Sequence, residues 1–271
     1  MSHEIENMNM EKKHEHHDHQ ELFDSAWEKS NENHLIQGLK EGKKIVDLLS
    51  NLAGFKEAFL KKNLLDYPDC RFECSDGRVK TGGVKVALAG EGILLNTEER
   101  IILIEALKGK NIVITGHQGC GAAKMAHPES KDSDKYGYEG AAKLATETGN
   151  RYKEVRHEEF RSPIHDERAL VIEGTLKFNC ADWTEFPPQF ISSAAALGLS
   201  DAYIEKEVAA LSGIALSDHG FGDRFNPENP FYIIICAKDS QQLDHLIKIG
   251  RTAAASFGNR VKVDGFVAPE R

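Results

Sequence analysis

The feature that most limits how this chain can fold is an alternation of short apolar runs with helical patterns. The apolar run from Asn111 to Thr115 is typical of a buried strand, and a helical pattern begins soon after it at Gly121. Tyr67 to Cys74 and Val84 to Leu88 are further strand candidates, and Thr97 to Leu107 has the spacing of a helix. This order predicts an α/β fold with a central, mostly parallel sheet flanked by helices, in which the residues that end the strands share one edge.

Two short motifs with reactive side chains follow these strand candidates directly. The first, Cys-Ser-Asp-Gly-Arg, begins at Cys74, and the second, His-Gln-Gly-Cys-Gly, contains His117 and Cys120. Alone, each motif has an ordinary structural interpretation, as a turn or as helix packing. Together they supply two thiolates and one imidazole, which suit zinc and leave the fourth tetrahedral position free for water. The sequence therefore predicts a catalytic Zn²⁺ site with these three residues as ligands.

The first motif also contains a carboxylate, Asp76, and a guanidinium, Arg78. Asp76 is near enough in sequence to Cys74 to become a fourth ligand and close the site. A bidentate ion pair with Arg78 would keep this carboxylate off the metal. Asp76 would then accept a hydrogen bond from the water or hydroxide at the metal, so we predict that Asp76 and Arg78 are catalytic.

In these residues the chain resembles the β-class carbonic anhydrases, whose zinc motifs are Cys-x-Asp-x-Arg and His-x-x-Cys-Gly. The resemblance covers residues 65–127. It implies a β-carbonic anhydrase-like fold, the same three zinc ligands and the same catalytic Asp–Arg pair. It adds Gly121, whose backbone N–H would lie near the substrate. The implied activity is that of a zinc lyase, a hydratase that interconverts CO2 and bicarbonate through attack by zinc-activated hydroxide.

One segment departs from the family pattern. Where the family usually has Arg-Asn-Ala-Gly-Asn, this chain has Ala-Leu-Ala-Gly-Glu at residues 87–91. In the family this segment lines the approach to the site and supports the dimer. Two alternatives therefore stay open: a hydrolase of a linear CO2 analogue, COS or CS2, on the same zinc site, and a non-catalytic zinc-holding binding or sensor protein.

Composition narrows the partners and the compartment. A net charge of −9 argues against nucleic acid and anionic membranes as partners. The resemblance implies a small-molecule partner, CO2 or bicarbonate. Five cysteines, two of them assigned to the metal, give no disulfide framework, and the polar N-terminus is unlike a secretory signal. We therefore expect a cytoplasmic enzyme, and the resemblance implies a homodimer or a higher homo-oligomer.

The chain divides into four predicted regions. Residues 1–20 are charged and His-rich and read as a disordered tail, with zinc capture as the less favoured role. Residues 21–66 form a helical arm that the resemblance would extend to a partner subunit. Residues 67–180 form the zinc-binding α/β core, with Ala169 to Lys177 as its last strand or a hairpin. Residues 181–271 form a C-terminal extension that completes the sheet or makes a subdomain.

Several side chains outside the two motifs are weaker candidates for proton transfer. The stretch from His219 to Phe225, rich in glycine and aromatic residues, would suit a loop over a site, with His219 and Asp223 as a shuttle. A structural turn with a salt bridge is the preferred interpretation. His157, His165 and Asp166 are candidates on weaker grounds.

Overall fold

Two parallel sheets organise the chain. The computed structural model describes residues 20–79, 82–181 and 183–269. In the first sheet the strand order is β2-β1-β3-β4, and in the second it is β6-β5-β7-β8. The strands are β1 (Arg71–Cys74), β2 (Lys85–Leu88), β3 (Val113–His117), β4 (Arg151–Val155), β5 (Ala169–Glu173), β6 (Gln189–Ser192), β7 (Phe231–Ala237) and β8 (Val261–Val267). The predicted α/β class with parallel strands is confirmed, but two sheets replace the single central one.

Helices connect the strands and pack on the sheets. They are α1 (20–31), α2 (His34–Lys40), α3 (Ile45–Ser50), α4 (Thr97–Leu107), α5 (Gly121–Ala126), α6 (Ser133–Thr148), α7 (Asp201–Ala215) and α8 (Ser240–Ala254). The start of α4 is fixed by a capping box, because Asn96 accepts from the Glu99 backbone and Glu99 accepts from the Asn96 backbone. Within the part of the chain described, no helix combines the length and apolarity needed to cross a membrane.

The two sheets have the same topology. In each, the chain begins in an inner strand, passes to the outer strand on one side, and then crosses to the other side. We call the part of the chain that forms β1 to β4 the first half and the part that forms β5 to β8 the second half. The first and third strands of each half are therefore neighbours, β1 beside β3 and β5 beside β7. Where the connections leave in opposite directions, the carboxyl ends of two neighbouring strands open a crevice, and ligands of parallel α/β sheets bind in such crevices. The fold thus provides two equivalent positions for a site.

Strand β5 does not end the zinc-binding core as we expected. It lies between β6 and β7 in the second sheet, with Ala169 paired to Gln189 on one side and to Tyr232 on the other. All five of its residues are buried, which is typical of a central strand covered on both faces. A strand of this kind needs partners along both edges, and the residues beyond 181 supply them.

The two halves share a core and touch along their edges. Phe72 of β1, Leu170 of β5 and Ile233 of β7 belong to one continuous hydrophobic cluster. Beside it, the Ser193 N–H donates to the Ala87 carbonyl at 2.8 Å, and the Ile191 N–H donates to the Ser75 carbonyl at 3.2 Å. The second half therefore packs directly against the strands that carry the first motif.

The N-terminal arm packs within its own chain. The Ile45 N–H donates to Asp264 of β8 at 2.9 Å. Leu35 of α2 is buried in the same cluster as Phe178 and Phe266 of the second half. The predicted disordered tail lies outside the described residues except for Gln20, where α1 begins. The homodimer stays a prediction.

Candidate metal centre

The three predicted zinc ligands lie together at one edge of the first sheet. Cys74 ends β1, His117 ends the neighbouring strand β3, and Cys120 caps the N-terminus of α5. All three are buried, and their ligand atoms lie within 4.8 Å of one another. Because parallel neighbours end at the same edge, the crevice between β1 and β3 gathers residues that are far apart in sequence.

The orientation of His117 suits a metal ion. Its Nδ1 lies 2.8 Å from the Gln118 carbonyl oxygen, so Nδ1 carries the ring proton and donates it to that oxygen. Its Nε2 is buried and has no hydrogen-bond partner among the described residues. A buried ring nitrogen without a partner is costly unless a metal or another group fills its lone pair. The donor set of two sulfurs and one such nitrogen therefore fits a metal ion.

The side chains of Cys74, His117 and Cys120 change one another's pKa values. A hydrogen bond from Cys120 lowers the pKa of the Cys74 thiol well below its usual range, and the same contact raises the pKa of Cys120. Burial disfavours the charged form of His117, but the Cys74 thiolate raises its pKa to about 10. A metal ion must displace these protons to gain its ligands, so metal binding and proton release are linked here.

The predicted pair of Asp76 and Arg78 forms beside the cluster. Asp76 Oδ1 accepts from the Arg78 N–H at 2.9 Å and from Nε at 3.0 Å, while Oδ2 accepts from Nη2 at 2.7 Å. Burial alone would raise the pKa of Asp76, but His165 and Arg78 hold it far below its usual range. Both carboxylate oxygens of Asp76 therefore face the Arg78 guanidinium. Asp76 does not belong to the group of ligand atoms that Cys74, His117 and Cys120 form.

His165 adds an imidazole on the other side of Asp76. Its Nδ1 lies 3.1 Å from Glu167 Oε2 and 3.9 Å from Asp76 Oδ1. Burial opposes the charged ring, yet Glu167 and Asp76 raise the pKa of His165 above its usual value. The sequence named His165 only as a weak candidate, because nothing in its neighbourhood indicates that it meets the first motif. Asp166, named with it, instead pairs with Arg161.

The segment that departs from the family pattern lies against the cluster. The Gly90 N–H donates to Cys74 Sγ at 3.2 Å, with a φ of +56°. A Cβ at Gly90 would meet Ala122 Cβ at 2.8 Å and Cys120 Sγ at 3.4 Å, so only glycine fits. The next residue, Glu91, is buried, and neither of its carboxylate oxygens has a hydrogen-bond partner in the described residues. Burial raises the pKa of Glu91 well above its usual range.

A narrow cavity of about 20 Å³ opens beside the cluster. Its polar lining residues are Cys74, Asp76 and His165, and its apolar lining comes from both halves, with Phe190 of β6 and Ile214 of α7 from the second. In this measure one water molecule needs about 10–15 Å³. The space therefore admits only a very small molecule. Gly121, predicted to contact substrate, lines it, and a Cβ there would lie 3.4 Å from Ile214.

The second half also supplies a buried carboxylate, Glu207 of α7. Its Oε1 accepts from Ser75 Oγ at 3.2 Å and from the Ala89 N–H, and its Oε2 accepts from Ser192 Oγ. Ser75 follows Cys74 in the chain, and Ala89 precedes the glycine that donates to the Cys74 sulfur. Burial raises the pKa of Glu207 to about 7. This residue, which sequence reasoning missed, ties the two halves together behind the metal ligands.

The positions of the second half that correspond to Cys74, His117 and Cys120 lack the set of two sulfurs and one imidazole nitrogen. β5 ends at Glu173 and β7 ends at Ala237, where their counterparts end at a thiol and an imidazole. The helix after β7 begins at Ser240 with Asp239 as its cap. The Glu173 carboxylate accepts from Thr175 and from the Leu176 N–H, so it is turned to its own loop. Among the described residues, the group of two cysteines and one histidine occurs in the first half alone.

The proposed shuttle loop at His219 is a structural turn. Phe221 and Phe225 stack edge-on against Trp27, with ring centroids 4.9 and 5.4 Å away. Asp223 lies 3.7 Å from Arg260, so the salt bridge of the preferred interpretation is present. His219 is exposed, and in the described residues no hydrogen bond or ion pair joins its side chain to the metal cluster.

No family model, no curated protein and no solved structure matches this chain. The resemblance to a family therefore depends on the two short motifs and on the positions where the fold places them.

Proposed function

We propose that this protein is a zinc-dependent hydratase that interconverts CO2 and bicarbonate in the manner of the β-class carbonic anhydrases. The observation that carries the proposal is the Asp76–Arg78 pair beside a three-ligand Cys2His cluster. Structural zinc is closed by four protein ligands, whereas here the Asp76 carboxylate is bound by Arg78 and three protein ligands leave one coordination position for water. Among common metals, zinc best suits two thiolates and one imidazole.

Cys74, His117 and Cys120 would hold a zinc ion, which would supply an acidified water molecule as a nucleophile at neutral pH. The chain's own residues then orient the reactants. Asp76 accepts a hydrogen bond from that water, and Arg78 fixes the carboxylate in place through its N–H donors. His165, whose Nδ1 lies 3.9 Å from Asp76 Oδ1, is our candidate for transfer of the released proton. The backbone N–H of Gly121, at the start of α5, positions the oxygen of the substrate.

The cavity supports a small, uncharged, linear substrate. Its volume of about 20 Å³ suits a very small molecule, and the Phe190 and Ile214 side chains that line it offer no hydrogen-bond donor or acceptor. CO2 meets these requirements. COS and CS2 share its shape and have still less polar ends, so the apolar wall also favours hydrolysis of such analogues as the second candidate.

Stopped-flow CO2 hydration on zinc-loaded protein tests the proposal, with zinc content measured on the same sample. We expect turnover far above that of free zinc and one zinc ion per chain. COS and CS2 are offered in parallel with detection of sulfide. Sulfide release without CO2 hydration would assign the protein to the analogue hydrolases, and bound zinc without any turnover would make it a binding or sensor protein.

A further inference from the structure

A second cavity lies at the position in the second half that corresponds to the metal centre. It has a volume of about 530 Å³ and is bounded by residues that follow β5, β7 and β8. Thr175 and Lys177 come after β5, Lys238 comes after β7, and Pro269 comes after β8. The cavity therefore lies at the carboxyl ends of β5, β7 and β8, the edge at which ligands of parallel sheets bind.

Three lysines line this cavity on a chain whose net charge is −9. They are Lys61, Lys177 and Lys238, all exposed, and in the described residues none of their side chains forms an ion pair or a hydrogen bond. Two acidic groups beside these strand ends hydrogen-bond elsewhere among the described residues: Asp239 caps α8 by accepting from the Gln242 N–H, and Glu173 accepts from the Thr175 N–H. Three unpaired cations around one cavity produce a local positive potential that attracts an anion.

Backbone hydrogen bonds fix the segments that carry these lysines. The Leu60 N–H donates to the Lys177 carbonyl at 2.8 Å, which holds Lys61 beside the end of β5. The Lys238 N–H donates to Gln242 Oε1 at 2.7 Å, and Gln242 Nε2 donates to the Gly174 carbonyl at 3.3 Å. The backbone of the site is thus formed before a ligand arrives, which lowers the entropic cost of binding.

One wall of the cavity is apolar. Phe59 and Leu60 form it together with Ala268 and Pro269. Phe59 is held in place by stacking on Phe178, with ring centroids 4.8 Å apart. The cavity volume falls within the range of about 300–1,000 Å³ that small-molecule sites occupy. A ligand that fills it has room for an apolar body in addition to its charged group.

We propose that this cavity is a second, metal-independent site, which binds a small organic anion with a phosphate group and an apolar body. Lysines bind phosphate as point charges, and three of them match its multiple negative charge better than that of a single carboxylate. The phosphate lies among Lys61, Lys177 and Lys238, and the apolar body lies against Phe59 and Pro269. The site does not depend on the proposed hydratase activity.

Calorimetric titration of the full chain with phenyl phosphate and with inorganic phosphate tests this site. We expect one phenyl phosphate per chain and weaker binding of inorganic phosphate, which lacks the apolar body. The triple variant K61Q/K177Q/K238Q should weaken phenyl phosphate binding at least tenfold. The matched variant K108Q/K143Q/K248Q removes the same charge from exposed lysines outside the cavity and should leave binding unchanged.

Phosphate can also bind to zinc, so the titration must distinguish binding at the metal centre from binding in the cavity. A variant that lacks the metal makes this distinction. Cys74→Ser should abolish zinc binding and keep phenyl phosphate binding. Loss of binding in Cys74→Ser, equal weakening in the two triple variants, or no binding at millimolar phenyl phosphate would each overturn the proposal. None of these outcomes depends on whether the protein hydrates CO2.

Discussion

The two halves of this chain share one strand order and differ in the residues at the ends of their inner strands. In the first half, β1 and β3 end in Cys74 and His117. In the second, β5 and β7 end in Glu173 and Ala237, and lysines surround the crevice instead. The fold therefore determines where a site lies, and the side chains at a few positions determine its chemistry.

The two crevices also differ in what covers them. The crevice of the first half is closed by Phe190 and α7 of the second half, which leaves about 20 Å³. The crevice of the second half is bounded by Phe59 and Lys61 of the N-terminal arm and remains about 530 Å³. A small, mostly apolar space suits a reaction of a tiny molecule, and a wide cationic one suits recognition of a larger anion.

The largest expected effect is loss of the metal from the first half. His117→Ala removes the ligand whose Nε2 has no other partner, and we expect zinc content to fall from about one ion per chain to a small fraction of that, with hydration reduced at least about 100-fold. Metal analysis after dialysis, with stopped-flow hydration, measures both. Cys236→Ala, which removes a buried thiol near the end of β7, is the control and should retain zinc. Zinc retained at the wild-type level in His117→Ala would contradict the assignment of His117 as a ligand.

The next largest effect concerns Asp76. Asp76→Asn keeps the size of the side chain and removes its charge, so we expect CO2 hydration to fall about 10²- to 10⁴-fold while zinc stays bound. Asp166→Asn is the control, because Asp166 pairs with Arg161 and contacts no predicted ligand. An unchanged rate in Asp76→Asn would show that the carboxylate does not orient the nucleophile, even if the metal is present.

The grouping of Cys74, His117 and Cys120 could be predicted from the sequence because the information for it is local. Each ligand follows a strand-like run, and parallel neighbours must end at the same edge, so Cys74 and His117 meet in any sheet that contains β1 beside β3. The Asp76–Arg78 pair spans only two residues and was predictable for the same reason.

The contribution of the second half was not predictable in this way. Glu207 reaches Ser75 across a sequence separation of 132 residues, and no local pattern indicates such a contact. The run from Ala169 to Glu173 was recognised as a strand, but its apolar residues are equally compatible with either sheet. Glu91 was visible only as a departure from the family pattern, and its burial depends on how the segment after β2 folds against α5.

A smaller effect tests how tightly the first half is packed around its ligands. Gly90→Ala places a Cβ 2.7 Å from Ile93 and 2.8 Å from Ala122 at a positive φ, so we expect a loss of about 2–4 kcal/mol in the free energy of unfolding. Gly198→Ala has a similar φ of +75° and no atom within 4 Å, so it isolates the backbone strain and should lose only about 1–2 kcal/mol. Urea unfolding of both variants measures the difference. Equal losses would mean that Gly90 is needed for its backbone angle alone.

The smallest effect tests the carboxylate by which the second half joins the first. Burial raises the pKa of Glu207 from 4.5 to about 7 in the folded protein, so the folded state binds a proton more tightly than the unfolded chain does. The stability due to this group is fully present below pH 4.5 and is lost as the pH rises through 7. Glu207→Gln is neutral at every pH and should therefore gain stability relative to wild type by about 1 kcal/mol between pH 6 and pH 8.

Urea unfolding at these two pH values measures that change, and Glu205→Gln is the matched control because Glu205 is exposed on the same helix. We expect the Glu205→Gln curve to run parallel to that of the wild type. If Glu207→Gln also runs parallel, the carboxylate keeps the same charge in the folded and unfolded states, and a permanently charged Glu207 holds Ser75 and Ala89 behind Cys74. If it diverges as expected, the second half contributes a group that is protonated below neutral pH, and the free energy of unfolding falls above that pH because the charged carboxylate is buried.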